Sequence, residues 1–167
     1  RDELLAEGHV FRSETDTESL AHLIENELAT TDDLAEAVRR ALQRVTGSYA
    51  IVVVSRRHPG RLVGARLNGP LIVGLGEQEN FLASDIPAIL RHTRRIVALD
   101  EGDVADVTPT GVTLTTLAGE AVTRPVTTVE WNIESAEKGG YPHYFVKEIH
   151  EQPDAVRSAL LGRIVER

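Results

Sequence analysis

The sequence predicts a layered α+β fold, and three observations carry that expectation. Apolar residues recur at helical spacing from Leu20 to Val45, short apolar runs broken by turn residues fill the stretch from Tyr49 to Trp131, and helical spacing returns after His143. Helices, then a block of strands, then a helix is the order of stacked sheets with helices outside them. It is not the alternating rhythm of a parallel βαβ sheet. At 167 residues the chain is long enough for one ordinary domain with a sizeable core.

The elements follow in order. Leu4-Leu5-Ala6 reads as the tail of a helix stopped by Gly8, and His9-Val10-Phe11 as a short strand. Thr15 and Glu18 have capping-box spacing, and Leu20, Leu23, Ile24 and Leu28 mark the buried stripe of the helix that follows. A second helix starts after Thr31-Asp32-Asp33, buries Leu34, Val38, Ala41, Leu42 and Val45, and ends at Gly47. Tyr49–Val54 is a near-continuous apolar run, the pattern of a strand covered on both faces. Leu62–Arg66 is the next strand, after the turn Arg56–Gly60 and before Asn68-Gly69-Pro70. Leu71–Leu75 and Phe81–Ser84 are expected to pair across a polar link, with a short helix over Asp85–His92. Arg95–Leu99, Asp103–Val107 and Val112–Leu117 read as a meander, and Val126–Trp131 as a last strand. A joint at Gly139-Gly140 leads to a helix over His143–Leu161, which Pro153 should kink or divide.

Composition excludes several classes. There is no Cys, hence no disulfide, no thiolate metal site and no cysteine nucleophile within these residues. A net charge of −8 argues against phosphate-backbone binding, so no nucleic-acid partner is expected. Runs such as Ala50–Val54 are too short to span a bilayer, and the acidic start carries no signal-peptide pattern. A cytoplasmic protein without a membrane partner is the expectation. The chain opens on Arg1 and contains no Met, so it is expected to be processed or excised from something longer.

Four patterns invite chemistry. In Ser13–Glu18 the bland reading is a helix start whose acids complement the dipole; the functional one aims the Asp16 carboxylate at a cationic ligand group. Spacing alone does not choose between them. Gly74-Leu75-Gly76 lacks the third glycine and the helix of a phosphate loop, so a hairpin is expected there. Arg91, His92, Arg94 and Arg95 form a basic cluster without interleaved aromatics, the pattern of a solvated or ion-paired face. His143 and His150 are seven apart, but the spacing is not that of a His-Glu-x-x-His site, and no metal site and no cofactor are expected.

Ser-Glu-Thr-Asp-Thr-Glu at 13–18, Ala65-Arg66-Leu67-Asn68-Gly69-Pro70-Leu71, Phe81-Leu82-Ala83-Ser84-Asp85, Ala136-Glu137-Lys138-Gly139-Gly140-Tyr141 and Lys147-Glu148-Ile149-His150-Glu151-Gln152-Pro153 together resemble the glutamine–fructose-6-phosphate aminotransferase (glucosamine-6-phosphate synthase) family. The resemblance runs from about Gly8 to the end; Asn68-Gly69 stands where the family commonly has Gly-Ser.

It implies the later part of a class II glutaminase domain over 1–138, a partial N-terminal-nucleophile hydrolase αββα four-layer sandwich. Over 139–167 it implies a linker and the first helix of the sugar-phosphate isomerase domain. It implies that Asp16 holds the α-ammonium of substrate glutamine, with Thr15 and Glu18 as scaffold. The family's N-terminal Cys, oxyanion-hole Asn-Gly pair and carboxylate-clamping Arg fall before Arg1, so no catalytic residue is expected here and the chain alone is expected to be inactive. Glutamine and fructose 6-phosphate are the implied substrates of the parent enzyme; a sandwich missing strands would expose sheet edges and apolar faces, so association with itself, as a homo-oligomer, or with the missing segment is expected. The competing expectation is a free-standing, non-catalytic binding module on the same scaffold; an amidotransferase making phosphoribosylamine is a further alternative, against which the joint motif speaks.

Overall fold

The structure is a computed structural model that describes residues 1–130 and 139–160, with side chains through 157. It comprises two compact units, Arg1–Val129 and Glu130–Arg167.

The first unit opens on α1 (Asp2–Ala6). Gly8 N–H bonds the Leu5 carbonyl and His9 N–H the Leu4 carbonyl, while Gly8 takes φ +95°. This is the double bond of a Schellman end, which needs a left-handed residue at the glycine. It also uses the His9 N–H, and His9–Phe11 is irregular chain rather than the expected strand. Helices α2 (Thr17–Leu28) and α3 (Leu34–Gln43) follow. Asp33 starts α3 from an extended backbone, its carboxylate accepting the Glu36 N–H at 3.0 Å.

Among the described residues eight strands form two antiparallel sheets. In the first, β1 (Tyr49–Val54), β2 (Leu62–Leu67), β6 (Asp103–Thr108) and β7 (Gly111–Thr116) lie in the order β1-β2-β6-β7. In the second, β3 (Ile72–Leu75), β4 (Asn80–Ala83), β5 (Arg95–Ala98) and β8 (Val126–Thr128) lie in the order β4-β3-β5-β8.

Period-2 alternation splits the first sheet between two cores. Tyr49, Val63, Ala65 and Val104 face α2 and α3, where they meet Ile24, Leu34, Val38, Ala41 and Leu42. On the other face Ala105, Val107 and Leu114 pack against Leu71, Val73, Val97 and Leu99 of the second sheet region. Each fully buried Leu or Val contributes about 1.5–3 kcal/mol, so these two cores are the main reason the layers stay stacked. The outer face of the second sheet is approached by Ile89 and Thr93, whose side chains lie over Gly74.

Three further expectations are corrected. The meander is real for β6 and β7, but β5 joins β3 and β8 instead of β6. The chain changes sheets at Leu99–Gly102, a crossing held by Leu99 N–H on the Leu71 carbonyl and Gly102 N–H on the Arg66 carbonyl. β1 is an edge strand; Tyr49 is buried, but Val52 and Val54 stand 48 % and 71 % exposed, because their face extends past the second sheet. The segment 85–92 is a run of turns, not a helix, with Asp85 accepting the Ala88 N–H. Its backbone bonds run mainly from i to i−3, Ile89 N–H to the Ile86 carbonyl and His92 N–H to the Ile89 carbonyl, so separate turns form in place of an α-helical ladder. The strand expected over Val126–Trp131 appears as β8; Trp131, like Ala136–Lys138 of the joint, lies outside the described residues.

In the second unit Gly139 and Gly140 take φ +57° and +86°, and one helix, α4 (Tyr144–Leu160), runs through Pro153 without being divided. No helix of the described residues is long and apolar enough to cross a membrane.

Candidate functional site

The turn from Phe11 into α2 carries the one residue expected to touch a ligand. Asp16 occupies the N-cap position with a helical backbone (φ −65°, ψ −31°), and its carboxylate caps nothing. Among the described residues only Thr17 Oγ1 hydrogen-bonds it, at 3.4 Å, and the side chain is exposed. A carboxylate in this place gains from the helix dipole yet keeps its lone pairs for a partner.

What holds the turn is Glu18. Its carboxylate accepts the N–H groups of Arg12 and Ser13, both at 2.7 Å, and the Ser13 hydroxyl at 2.5 Å. Ser13 Oγ in turn accepts the Thr15 N–H at 3.3 Å. The Ser13 hydroxyl, then the Arg12 N–H, favour the ionised form and hold the Glu18 carboxyl at about 2, below its ordinary 4.5. The capping box expected of Thr15 and Glu18 is therefore corrected: Glu18 reaches past Thr15 to clamp the preceding loop. Thr15 Oγ1 lies 2.8 Å from Ser13 Oγ, so both residues bond to this loop.

Other motifs resolve into architecture. Arg66 donates to the Leu99 carbonyl at 2.8 Å and pairs with Glu101, whose second oxygen accepts the Asn68 N–H at 2.6 Å. Asn68 takes φ +57°, a conformation Asn tolerates, so the Ala65–Leu71 stretch is a strand end tied to the sheet crossing. Asp103, buried, receives two bonds from Arg124 at 2.8 Å, which ties the chain before β8 to the start of β6. Arg61 spans Asp106, at 2.6–2.7 Å, and the α3 cap Asp33, at 3.2 Å. Gly74 and Gly76 belong to the β3–β4 hairpin, as their spacing implied. Within the basic cluster, Arg94 donates to the Val129 carbonyl at 3.0 Å and the His92 ring lies 5.0 Å from that of Phe81.

The histidines divide differently from the sequence reading. His143 precedes α4, whereas His150 stacks on Tyr141 with ring centroids 5.2 Å apart. The grouping with ligand-like geometry among the described residues is another one: His9, His22 and Glu25. Sequence reasoning missed it, although His22 and Glu25 share an i, i+3 face of α2.

This architecture, two stacked antiparallel sheets with helices against one outer face, is the layered α+β class of the N-terminal-nucleophile hydrolases. It resembles the structure of glutamine phosphoribosylpyrophosphate (PRPP) amidotransferase from B. subtilis complexed with ADP and GMP, with a TM-score of 0.60 at 21% identity over 70% of this chain and 25% of that one. The glutamine amidotransferase domain family matches residues 1–91, and the chain belongs to that family.

Among curated relatives, the glutamine–fructose-6-phosphate aminotransferase (isomerizing) of Symbiobacterium thermophilum is 52% identical over 164 residues, covering 98% of this chain. Enzymes of the same name from Methanothermobacter thermautotrophicus and Thermus thermophilus are 51% and 52% identical over 96% and 99% of it. The chain spans 27% of the length of each of these three relatives.

Proposed function

We propose that this chain is a segment of a glutamine–fructose-6-phosphate aminotransferase, in which it helps form the glutamine pocket of the ammonia-producing domain. The parent enzyme takes ammonia from glutamine and delivers it to fructose 6-phosphate, forming glucosamine 6-phosphate. Relatives of that name at about half identity along nearly the whole chain support the reading. The observation that carries the site is Asp16: an exposed carboxylate at a helix N-terminus, excused from capping, on a turn that Glu18 clamps from behind. Such a group offers an ammonium charge-assisted hydrogen bonds without first surrendering any of its own.

Under this reading residues 1–138 are the later part of the glutaminase domain, and 139–167 the linker and first helix of the isomerase domain. Phe145, Ile149 and Val156, exposed on α4, are the kind of apolar residues that a further domain would cover. The enzyme works in the cytoplasm as a homo-oligomer. The 167 residues hold no Cys, so they supply no thiolate to attack the carboxamide, and the isolated chain does not hydrolyse glutamine.

The test is made in the parent polypeptide with Asp16→Asn. Loss of a hydrogen-bonded charge removes roughly 1.5–3 kcal/mol, so KM for glutamine should rise about 10- to 100-fold while use of free ammonia is unchanged. An unchanged KM sinks the role of Asp16. Glutamine hydrolysis above a blank by the pure 167-residue chain sinks the inactivity of the segment.

A further inference from the structure

We propose that His9, His22 and Glu25 form a binding site for a divalent transition-metal ion of the Zn2+ type. This inference rests on geometry away from Asp16 and stands independently of the glutaminase reading.

Three ligand atoms converge. His9 Nδ1 and His22 Nδ1 face each other at 3.0 Å, and Glu25 Oε2 lies 3.9 Å from the first and 3.8 Å from the second. Both rings are half-buried, with side chains 15 % and 16 % exposed, while Glu25 is open to solvent. For a tetrahedral ion with metal–nitrogen bonds of about 2.0–2.1 Å, the two nitrogens sit about 3.3 Å apart. To admit it the two nitrogens separate by about 0.3 Å and the exposed Glu25 carboxylate closes on them by about 0.5 Å.

The outer hydrogen bonds select the tautomers a metal requires. Asn26 Nδ2 donates to the Glu7 carboxylate at 2.8 Å, which turns Asn26 Oδ1 toward His9 Nε2, also at 2.8 Å. That oxygen only accepts, so His9 carries its proton on Nε2 and points a lone pair from Nδ1 at His22. With a neutral His22 and no ion, the His22 Nδ1–H donates to the His9 Nδ1 lone pair. His22 Nε2 is then a buried lone pair without a hydrogen-bond partner, 3.7 Å from the Glu18 carboxylate. An ion between the two Nδ1 atoms reverses this. Both rings then present lone pairs to the metal, and His22 Nε2–H faces Glu18 as His9 Nε2–H faces Asn26. A carboxylate or amide oxygen behind each ligating imidazole is the usual outer shell of such sites.

Two imidazoles and one carboxylate suit Zn2+, Co2+ or Ni2+, with water completing the shell on the Glu25 side. Glu25 is exposed, and with His22 it also lines a groove beside Leu28, Val53 and Arg56, so the site is open to solvent on that side. Bound there, the ion would fasten the end of α1 to the first turns of α2, directly behind the Glu18 clamp.

The experiment is a titration of the metal-stripped chain with Zn2+ by calorimetry, repeated with Co2+ by visible absorption. One saturable equivalent and a tetrahedral Co2+ spectrum are expected. His9→Gln and His22→Gln should each weaken Zn2+ binding by about 100-fold and Glu18→Gln by about 10-fold, with His143→Gln and His150→Gln matching the parent chain. Ring 15N spectra of the unmutated chain supply an arm that does not depend on variant folding. Zn2+ must shift Nδ1 of His9 and His22 and leave both Nε2 atoms protonated. No saturable equivalent, an Nε2 response instead, or a loss that follows His143 or His150 overturns the site.

Discussion

Replacing Gly76 by Ala should be among the costliest single-methyl additions to this fold, and for a steric reason. A Cβ built on Gly76 lies 2.4 Å from the carbonyl oxygen of Glu79 and 3.1 Å from Glu79 Cγ. That oxygen has nowhere to go, since it accepts the Gly76 N–H at 2.9 Å and thereby closes the turn between β3 and β4. Relieving the clash both opens the turn, forfeiting about 1 kcal/mol of hydrogen bond, and shifts the hairpin, which accepts overpacking strain of about 1–3 kcal/mol. We expect a loss of about 2–4 kcal/mol from these two sources together. Gly60 is the control. It takes φ +76° with nothing within 4 Å of an added Cβ, so Gly60→Ala meets only left-handed strain of roughly 1–2 kcal/mol. Urea denaturation followed by circular dichroism, with the m-value held common, reads both. If Gly76→Ala is no more destabilising than Gly60→Ala, the close approach does not control this turn and the argument fails.

Two further predictions concern the helix starts. Glu18 is depressed to about 2 in the folded chain against 4.5 as its ordinary value, so its contribution is fully present above pH 4.5 and is lost as the pH falls through 2; the amide 15N–1H signals of Arg12 and Ser13 should titrate together near that lower value, and a midpoint near 4.5 would show that the clamp does not form. Asp33→Ala removes the α3 cap and one of the two carboxylates on Arg61, so chemical denaturation should show a loss of about 1 kcal/mol, and Leu42→Ala in the core beneath should cost about 2–5 kcal/mol; equal losses would contradict the ranking of cap against core.

Local order was legible in the residues themselves. The stripe Leu34, Val38, Ala41, Leu42 specified α3 and its buried face, and Asp33 its start, because helix periodicity and capping act within a few residues of the chain. The β3–β4 hairpin was equally local, and the Ser13–Glu18 motif put Asp16 at the start of α2. Tertiary structure decided what depends on distant partners. Whether β5 pairs with β6 or with β3 turns on the crossing at Leu99–Gly102, held by Leu71 and Arg66 from about thirty residues away, and period-2 alternation is the same in either sheet. The apolar run of β1 announced burial, yet its place at the edge leaves Val52 and Val54 exposed. Glu18 had the spacing of a cap, but the path of Phe11–Ser13 brought two other N–H groups nearer. The pairing of His9 with His22 lies across the irregular turn after Gly8, where no periodic pattern relates one side chain to the next; only folding brings their Nδ1 atoms to 3.0 Å.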